Sequence, residues 1–168
     1  MKTIKAKSIS YGDKRDRKNV KYIVIHYTAG NGDTAVNEGN YFKNVNDRMA
    51  GAHFFVDQKG DIVKSIPMNR IAWAVGGSLY KDYKETGGGK YYKICTNANS
   101  VSIELCDNAK KDPSDAQIKA VKKVIKYIRT WCPNAKTVIR HFDITGKSCP
   151  LRLVEAKKWK EFMKKIGE

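Results

Sequence analysis

Two short aliphatic runs, Tyr22-Ile23-Val24-Ile25 and Thr137-Val138-Ile139-Arg140, each deliver a histidine, His26 and His141, and helical periodicity separates and follows them. That alternation limits the fold more than any other feature of the chain. Ser100 to Leu105 reads as another strand, with Val101, Ile103 and Leu105 on one face and Ser102 and Glu104 on the other. Ala52-His53-Phe54-Phe55-Val56 and Ile62-Val63-Lys64-Ser65-Ile66 flank Asp57-Gln58-Lys59-Gly60-Asp61, which predicts a hairpin. A first helix is expected from about Thr34 to Val45, after the turn residues Gly30, Asn31 and Gly32. Ser114 and Gln117 read as a capping box for a second helix, whose Ile118, Val121, Ile125, Ile128 and Trp131 recur at helical spacing before Pro133 ends it. Pro150 is placed to open a last helix carrying Trp159, Phe162, Met163 and Ile166, and Gly167 stops it. Both aromatic stripes are expected in the core. Residues 76–98, with Gly76, Gly77 and Gly87-Gly88-Gly89 among Tyr80, Tyr83, Tyr91 and Tyr92, show neither period and read as a long loop. Strands alternating with helices, without an internal repeat, predict an α/β chain with a mixed central β-sheet flanked by helices.

At 168 residues the chain is expected to form a single domain over 1–168. No stretch approaches the roughly 20 apolar residues that membrane insertion by a helix needs. Met1 to Ser8 carries basic residues with no apolar segment behind them, unlike a secretory signal, so synthesis in the cytoplasm is expected. Four scattered cysteines do not make a disulfide scaffold, and Cys95, Cys106 and Cys132 read as small buried apolar residues. The formal charge of +16 creates a field that favours polyanions, whether nucleic acid, anionic lipid or an anionic wall polymer. Much of it lies on helical faces such as Lys119, Lys122, Lys123 and Lys126, where solvation alone accounts for it, and no nucleic-acid-binding signature accompanies it.

Chemistry enters through His26 and His141 at strand ends, because Cys149 follows His141 by eight residues across a turn containing Gly146. Two imidazoles and a thiolate suit zinc, and three protein ligands leave a fourth tetrahedral position open. Spacing alone is weak evidence here, since a strand-end histidine is more often a packed residue than a ligand. From the residues alone Glu104 reads first as a half-exposed strand glutamate, and Lys147 equally as a solvated loop lysine.

Five segments in order carry more. Ile23-Val24-Ile25-His26-Tyr27-Thr28-Ala29-Gly30, Ala52-His53-Phe54-Phe55-Val56-Asp57 with Gly60, Ala72-Trp73, Ser102-Ile103-Glu104-Leu105, and His141-Phe142-Asp143-Ile144 leading to Lys147-Ser148-Cys149-Pro150 together resemble the type 2 N-acetylmuramoyl-L-alanine amidases. That group contains phage endolysins and peptidoglycan recognition proteins, and the resemblance runs from about residue 20 to 155. It implies an amidase-like sheet, a surface groove, and one Zn2+ held by His26, His141 and Cys149. It also implies hydrolysis of the amide joining muramic acid to L-alanine in bacterial peptidoglycan, with Glu104 as general acid/base and Lys147 facing the oxyanion. Ala52 stands where one branch of the family carries a helpful tyrosine, which throws more of the work onto Glu104. His53 is expected to orient a ligand, touch substrate or pack at a strand edge. Trp73 matches the family's groove aromatic, but Ala74 and Val75 replace the histidine that usually follows, so it reads as groove or core. An endolysin released to the wall at lysis accounts for the missing signal, and the domain then stands as all or part of such an enzyme. A recognition module that binds without cutting and a cytoplasmic muropeptide-recycling amidase are the alternatives.

Overall fold

In a computed structural model describing residues 1–168, six strands form one mixed sheet. They are β1 (Lys2–Thr3), β3 (Tyr22–Tyr27), β4 (Phe54–Val56), β5 (Ile62–Lys64), β7 (Ser100–Leu105) and β8 (Thr137–Arg140), in the order β1-β5-β4-β7-β3-β8. β2 (Tyr11–Lys14) and β6 (Arg70–Ala72) make a separate antiparallel pair. The helices are α1 (Ala35–Asn44), α2 (Tyr83–Thr86), α3 (Asp115–Trp131), α4 (Phe142–Thr145) and α5 (Ala156–Ile166). β4, β7, β3 and β8 run parallel, and β5 turns back antiparallel on β4 as the expected hairpin.

Side-chain alternation divides the sheet into two faces. Ile23, Ile25, Phe54, Val56, Val101, Ile103, Leu105 and Val138 point to one side, where Ile118, Val121, Val124, Ile125 and Ile128 of α3 and Phe162 and Ile166 of α5 cover them. On the other side Phe55 and Val63 meet Ala35 of α1, while Val24 and Ile139 meet Val75, Cys95 and Ile144. Parallel strands covered on both faces need apolar residues at both parities, and this explains why the runs around His26 and His141 are almost continuously aliphatic. The same parity places Phe55, His26, Glu104 and His141 together on the α1 side.

Several expectations are modified by tertiary contacts. Thr34 caps α1 by accepting from the Asn37 N–H, so the helix begins one residue later than its sequence signal. The Ser114 capping box is only half formed. Ser114 Oγ accepts from the Gln117 N–H, but the reciprocal bond to the Ser114 N–H comes from Gln58 Oε1. Gln117 is instead turned inward, wholly buried, donating to the carbonyls of Val56 at 2.8 Å and Cys106 at 3.1 Å. It thereby ties α3 to the ends of β4 and β7. Gln117→Met should leave the Cys106 carbonyl without a donor and the Val56 carbonyl with only the Cys106 N–H, and cost about 2 kcal/mol. A thermal melt is expected to shift down by roughly 4–8 °C.

Pro150 does not open the last helix; it precedes a 3-10 turn, Leu151–Leu153, and α5 begins only at Ala156. Trp131 is not in the core but 47% exposed, because α3 ends there and its last turn projects beyond the sheet. The expected loop 76–98 contains the single turn of α2, runs into a 3-10 turn, Asn97–Asn99, and is otherwise irregular. Cys95, Cys106 and Cys132 are buried free thiols, as their apolar reading required. The strands before residue 20 had no legible signal, being two and four residues long.

Candidate metal centre and groove

At the carboxyl ends of β3, β7 and β8 the chain leaves the sheet, and open α/β sheets bind ligands at this edge. Register sets the neighbours. His26 lies opposite Glu104 on β7, and Ile25 lies opposite Arg140 on β8, so His26 has Glu104 on one side and His141 on the other. The His26 and His141 rings meet edge to face with centroids 4.8 Å apart.

Cys149 is returned to this point by a short hairpin of chain. The Phe142 N–H donates to the Cys149 carbonyl at 2.8 Å, closing the segment 142–149 on itself. Gly146, at φ +82, supplies the left-handed turn that ends α4 and lets the chain double back. Arg140 anchors the base of this hairpin. Its guanidinium pairs with Asp143 at 2.6 Å, donates to the Leu153 and Val154 carbonyls, and stacks between Phe142 and Trp159. Cys149 Sγ thus comes to 3.8 Å from His26 Nδ1.

The ligand atoms of His26, His141 and Cys149 lie within 4.8 Å of one another, and all three residues are buried. A group of this composition is able to hold a metal ion. Its polar atoms are otherwise unaccounted for, since Nε2 of His26 and Nε2 of His141 are buried without any hydrogen-bond partner. Orphaned buried nitrogens of this kind are rare unless something else binds them. Burial, then the neighbouring His141 and Lys147, holds His26 well below its ordinary pKa. Burial and Lys147 bring His141 down to about 4, while a bond from its ring to the Gly76 carbonyl opposes the shift. Both rings are therefore neutral at physiological pH, with lone pairs free for coordination. Burial pushes the Cys149 thiol up to about 12, with Glu104 adding to the shift. Occupancy by a divalent ion must then displace the thiol proton.

A groove of about 770 Å³ opens in front of these residues, lined also by Glu104, Lys147, Trp73 and residues of α1. Glu104 is half-buried, with Oε2 wholly enclosed and unpartnered. Burial and the nearby Glu38 carboxylate push it up to about 8, against the pull of Lys147. Lys147 is exposed at the groove margin and acts electrostatically on His26, His141, Glu104 and Cys149 alike. Trp73 lines the groove, and its indole lies over Gly12, where an added Cβ would meet the ring at 2.6 Å.

His53 does not reach the groove. It is wholly buried, with Nδ1 accepting from the Ser102 N–H at 3.1 Å and Nε2 facing the Arg70 carbonyl and Arg15. Burial and Arg15 lower it to about 3, so it is a neutral strand-to-strand tie. Sequence reasoning missed Glu38, Asn37, Tyr41 and Arg48, which form the opposite groove wall. The spacing of Asn37, Glu38 and Tyr41 on one polar stripe of α1 was the available signal. Burial and a hydrogen bond with Asp33 raise Glu38 to about 7.

A buried His-His-Cys cluster at the carboxyl edge of a mixed sheet, open to a groove with a carboxylate, marks an α/β fold with a group able to hold a metal beside an open groove. Residues 16–152 match the N-acetylmuramoyl-L-alanine amidase family, and the chain belongs to it. It is 30% identical over 155 residues to the N-acetylmuramoyl-L-alanine amidase CwlL of Bacillus licheniformis, covering 88% of this chain and 41% of that protein. To CwlA of Bacillus subtilis (strain 168) it is 33% identical over 144 residues, covering 83% of this chain and 46% of CwlA. The chain thus spans less than half the length of these relatives. Among solved structures, PlyL superposes with a TM-score of 0.74 at 27% identity, covering 100% of this chain and 97% of PlyL. The catalytic domain of XlyA gives 0.73 at 26% identity, covering 99% and 98%.

Proposed function

We propose that residues 1–168 form one zinc-dependent catalytic domain that hydrolyses the amide between N-acetylmuramic acid and L-alanine in bacterial peptidoglycan, acting on the cell wall as a phage or prophage endolysin. The observation that carries this reading is the convergence of His26, His141 and Cys149 beside Glu104 in a groove, in a chain of this family. The donor set of two imidazoles and one thiolate fits a single Zn2+ ion with one position left open, the pattern of catalytic zinc sites. When bound, zinc supplies Lewis acidity toward the scissile carbonyl and toward water.

The remaining chemistry belongs to the chain. Glu104, in register with His26 on the adjacent strand, takes a proton from the attacking water and passes one to the leaving L-alanine amine. Lys147 directs its ammonium at the oxygen on which negative charge gathers during attack. Trp73 and the α1 wall hold the glycan and stem peptide across the site. Lys147→Ala is expected to keep its metal and lose about 10²-fold in kcat with little change in KM, measured on a soluble muropeptide.

Zinc affinity should also report the thiol. With both imidazoles already neutral, the thiol proton must leave as the ion binds, so the apparent affinity is expected to rise at least tenfold per pH unit between pH 6 and 8. Calorimetry in two buffers of different ionisation enthalpy counts that proton. A pH-independent affinity would remove Cys149 from the ligand set.

Digestion of purified peptidoglycan tests the activity itself. New alanine amino termini without new reducing sugar ends, abolished by chelation, are the expected result. Wall binding with no new termini would make the chain a recognition module, and cleavage of soluble fragments but not intact walls would make it a recycling enzyme.

A further inference from the structure

A second cleft, of about 280 Å³, shares no lining residue with the groove. Arg17 precedes β3 and Trp131 closes α3, while Lys64 lies opposite Phe54 and reaches Tyr127 on the α3 face of the sheet. The His-His-Cys cluster and its groove lie on the other face, toward α1. Pro67, Met68 and Asn69 complete the lining.

The cations of this cleft are held in an unusual way. The Arg17 guanidinium lies 4.8 Å from the centroid of the Trp131 ring, and the Lys64 ammonium 5.6 Å from that of Tyr127, whose hydroxyl it also contacts at 3.3 Å. Tyr127 and Trp131 are themselves neighbours, with centroids 6.3 Å apart. Neither cation belongs to any of the six ion pairs of the protein, and the cleft lining contains no carboxylate. Aromatic faces thus fix both side chains in place while leaving their charge unneutralised. Among the other lysines only Lys84, Lys90 and Lys93 lie over an aromatic ring.

We propose that this cleft binds a phosphodiester of an anionic wall polymer of the polyol-phosphate type. Two fixed cations converge on one phosphate group, Asn69 offers an amide, and Pro67 with Met68 provides apolar contact for the polyol carbons on either side. A nucleic acid fits less well, because single-strand binding needs free ring faces on which bases stack, and here cations already occupy one face of each ring. The choice of a wall polymer rests on the amidase reading above. Binding on this face would hold the domain to the wall while the groove on the other face stays open to peptidoglycan.

The test is calorimetric titration of the zinc-loaded protein with poly(glycerol phosphate) of defined length, beside an oligothymidylate of equal charge at the same ionic strength. Arg17→Gln with Lys64→Gln is expected to weaken polymer binding at least tenfold. Lys119→Gln with Lys157→Gln, which removes the same charge from exposed helix faces, is expected to change it less than twofold. Trp131→Gln, at an exposed position, provides an independent arm and should also weaken binding several-fold. Equal losses in the two lysine and arginine pairs would show a diffuse field and overturn the proposal, as would tighter binding of the oligothymidylate or no binding by the wild type. Soluble muropeptide hydrolysis by the Arg17/Lys64 variant should stay at the wild-type rate, and a parallel loss there would overturn separate sites. Polymer binding retained by a protein with no hydrolytic activity would sustain the cleft and remove only the amidase reading.

Discussion

Glu104→Ala is expected to retain one zinc ion per chain while kcat on a soluble muropeptide falls by about 10²–10⁴-fold, the range associated with a positioned proton-transfer group. The reasoning begins in the strand. β7 alternates Val101, Ile103 and Leu105 toward α3 with Ser102 and Glu104 toward the groove, and its register brings Glu104 alongside His26. The carboxyl is therefore fixed by backbone pairing beside the His-His-Cys cluster, yet it does not belong to the group that can hold an ion. Removing it should spare metal content and abolish proton transfer. Glu104→Gln separates charge from shape and should lose nearly as much. Stability moves the other way. In the metal-free protein the folded pKa, near 8, lies above the ordinary carboxylate value. Folding is consequently penalised as pH rises from the unfolded value through the folded one. At pH 8 the metal-free Glu104→Gln protein should melt at a higher temperature than wild type, and at pH 4 the difference should vanish. A variant with wild-type turnover would take Glu104 out of the mechanism.

The contrast between Glu104 and His53 shows what sequence conveys and what it withholds. Strand periodicity alone placed Glu104 opposite the aliphatic row, because a parity argument needs only neighbours along one chain. Two strand-end histidines and a cysteine eight residues beyond were legible for the same reason, and the turn at Gly146 that brings Cys149 back was visible in its glycine. His53 sits on an equally clear strand, but its role depends on Ser102, Arg70 and Arg15, which are distant in sequence. No local pattern reveals that its ring is fully committed to backbone groups and to Arg15. Gln117 was misread on similar grounds. Its spacing from Ser114 satisfies a capping box, yet the carbonyls of Val56 and Cys106 at the ends of β4 and β7 draw it inward, and Gln58 replaces it at the cap. The α1 wall of the groove was missed because nothing local to Glu38 and Tyr41 tells which face of the helix meets the sheet. Only the position of α1 against β4 and β5 turns their side toward Glu104. Trp131 erred in the opposite sense, since helical spacing cannot tell where a helix outruns the sheet beneath it.

Cys149→Ala should lose both metal and activity, and the loss should appear in stability as well as in rate. The three side chains contribute unequally. His26 and His141 are neutral rings held by the sheet and by the Gly76 carbonyl, so they offer lone pairs without charge. Cys149 alone brings an anion to the ion, and it does so inside a pocket where the side chain is 2% exposed. Alanine there removes the only charge compensation in the cluster, and the zinc affinity should fall by more than the 10–100-fold typical of losing an outer-shell partner. For the wild type, zinc at about a thousand times its dissociation constant contributes about 4 kcal/mol to folding. In a chain of this size that corresponds to a rise in Tm of roughly 8–16 °C. Melts with and without zinc should show that rise for wild type and for Glu104→Ala, and almost none for Cys149→Ala. The metal-free melting temperatures should differ little, since the hairpin that carries Cys149 is held by Arg140, Asp143 and the Phe142 N–H rather than by the thiol. A Cys149→Ala protein that still binds one zinc ion per chain and gains the same thermal protection would place the metal on other residues. The groove chemistry would then have to be rebuilt around Glu38 and Glu104, the other half-buried carboxylates facing that space.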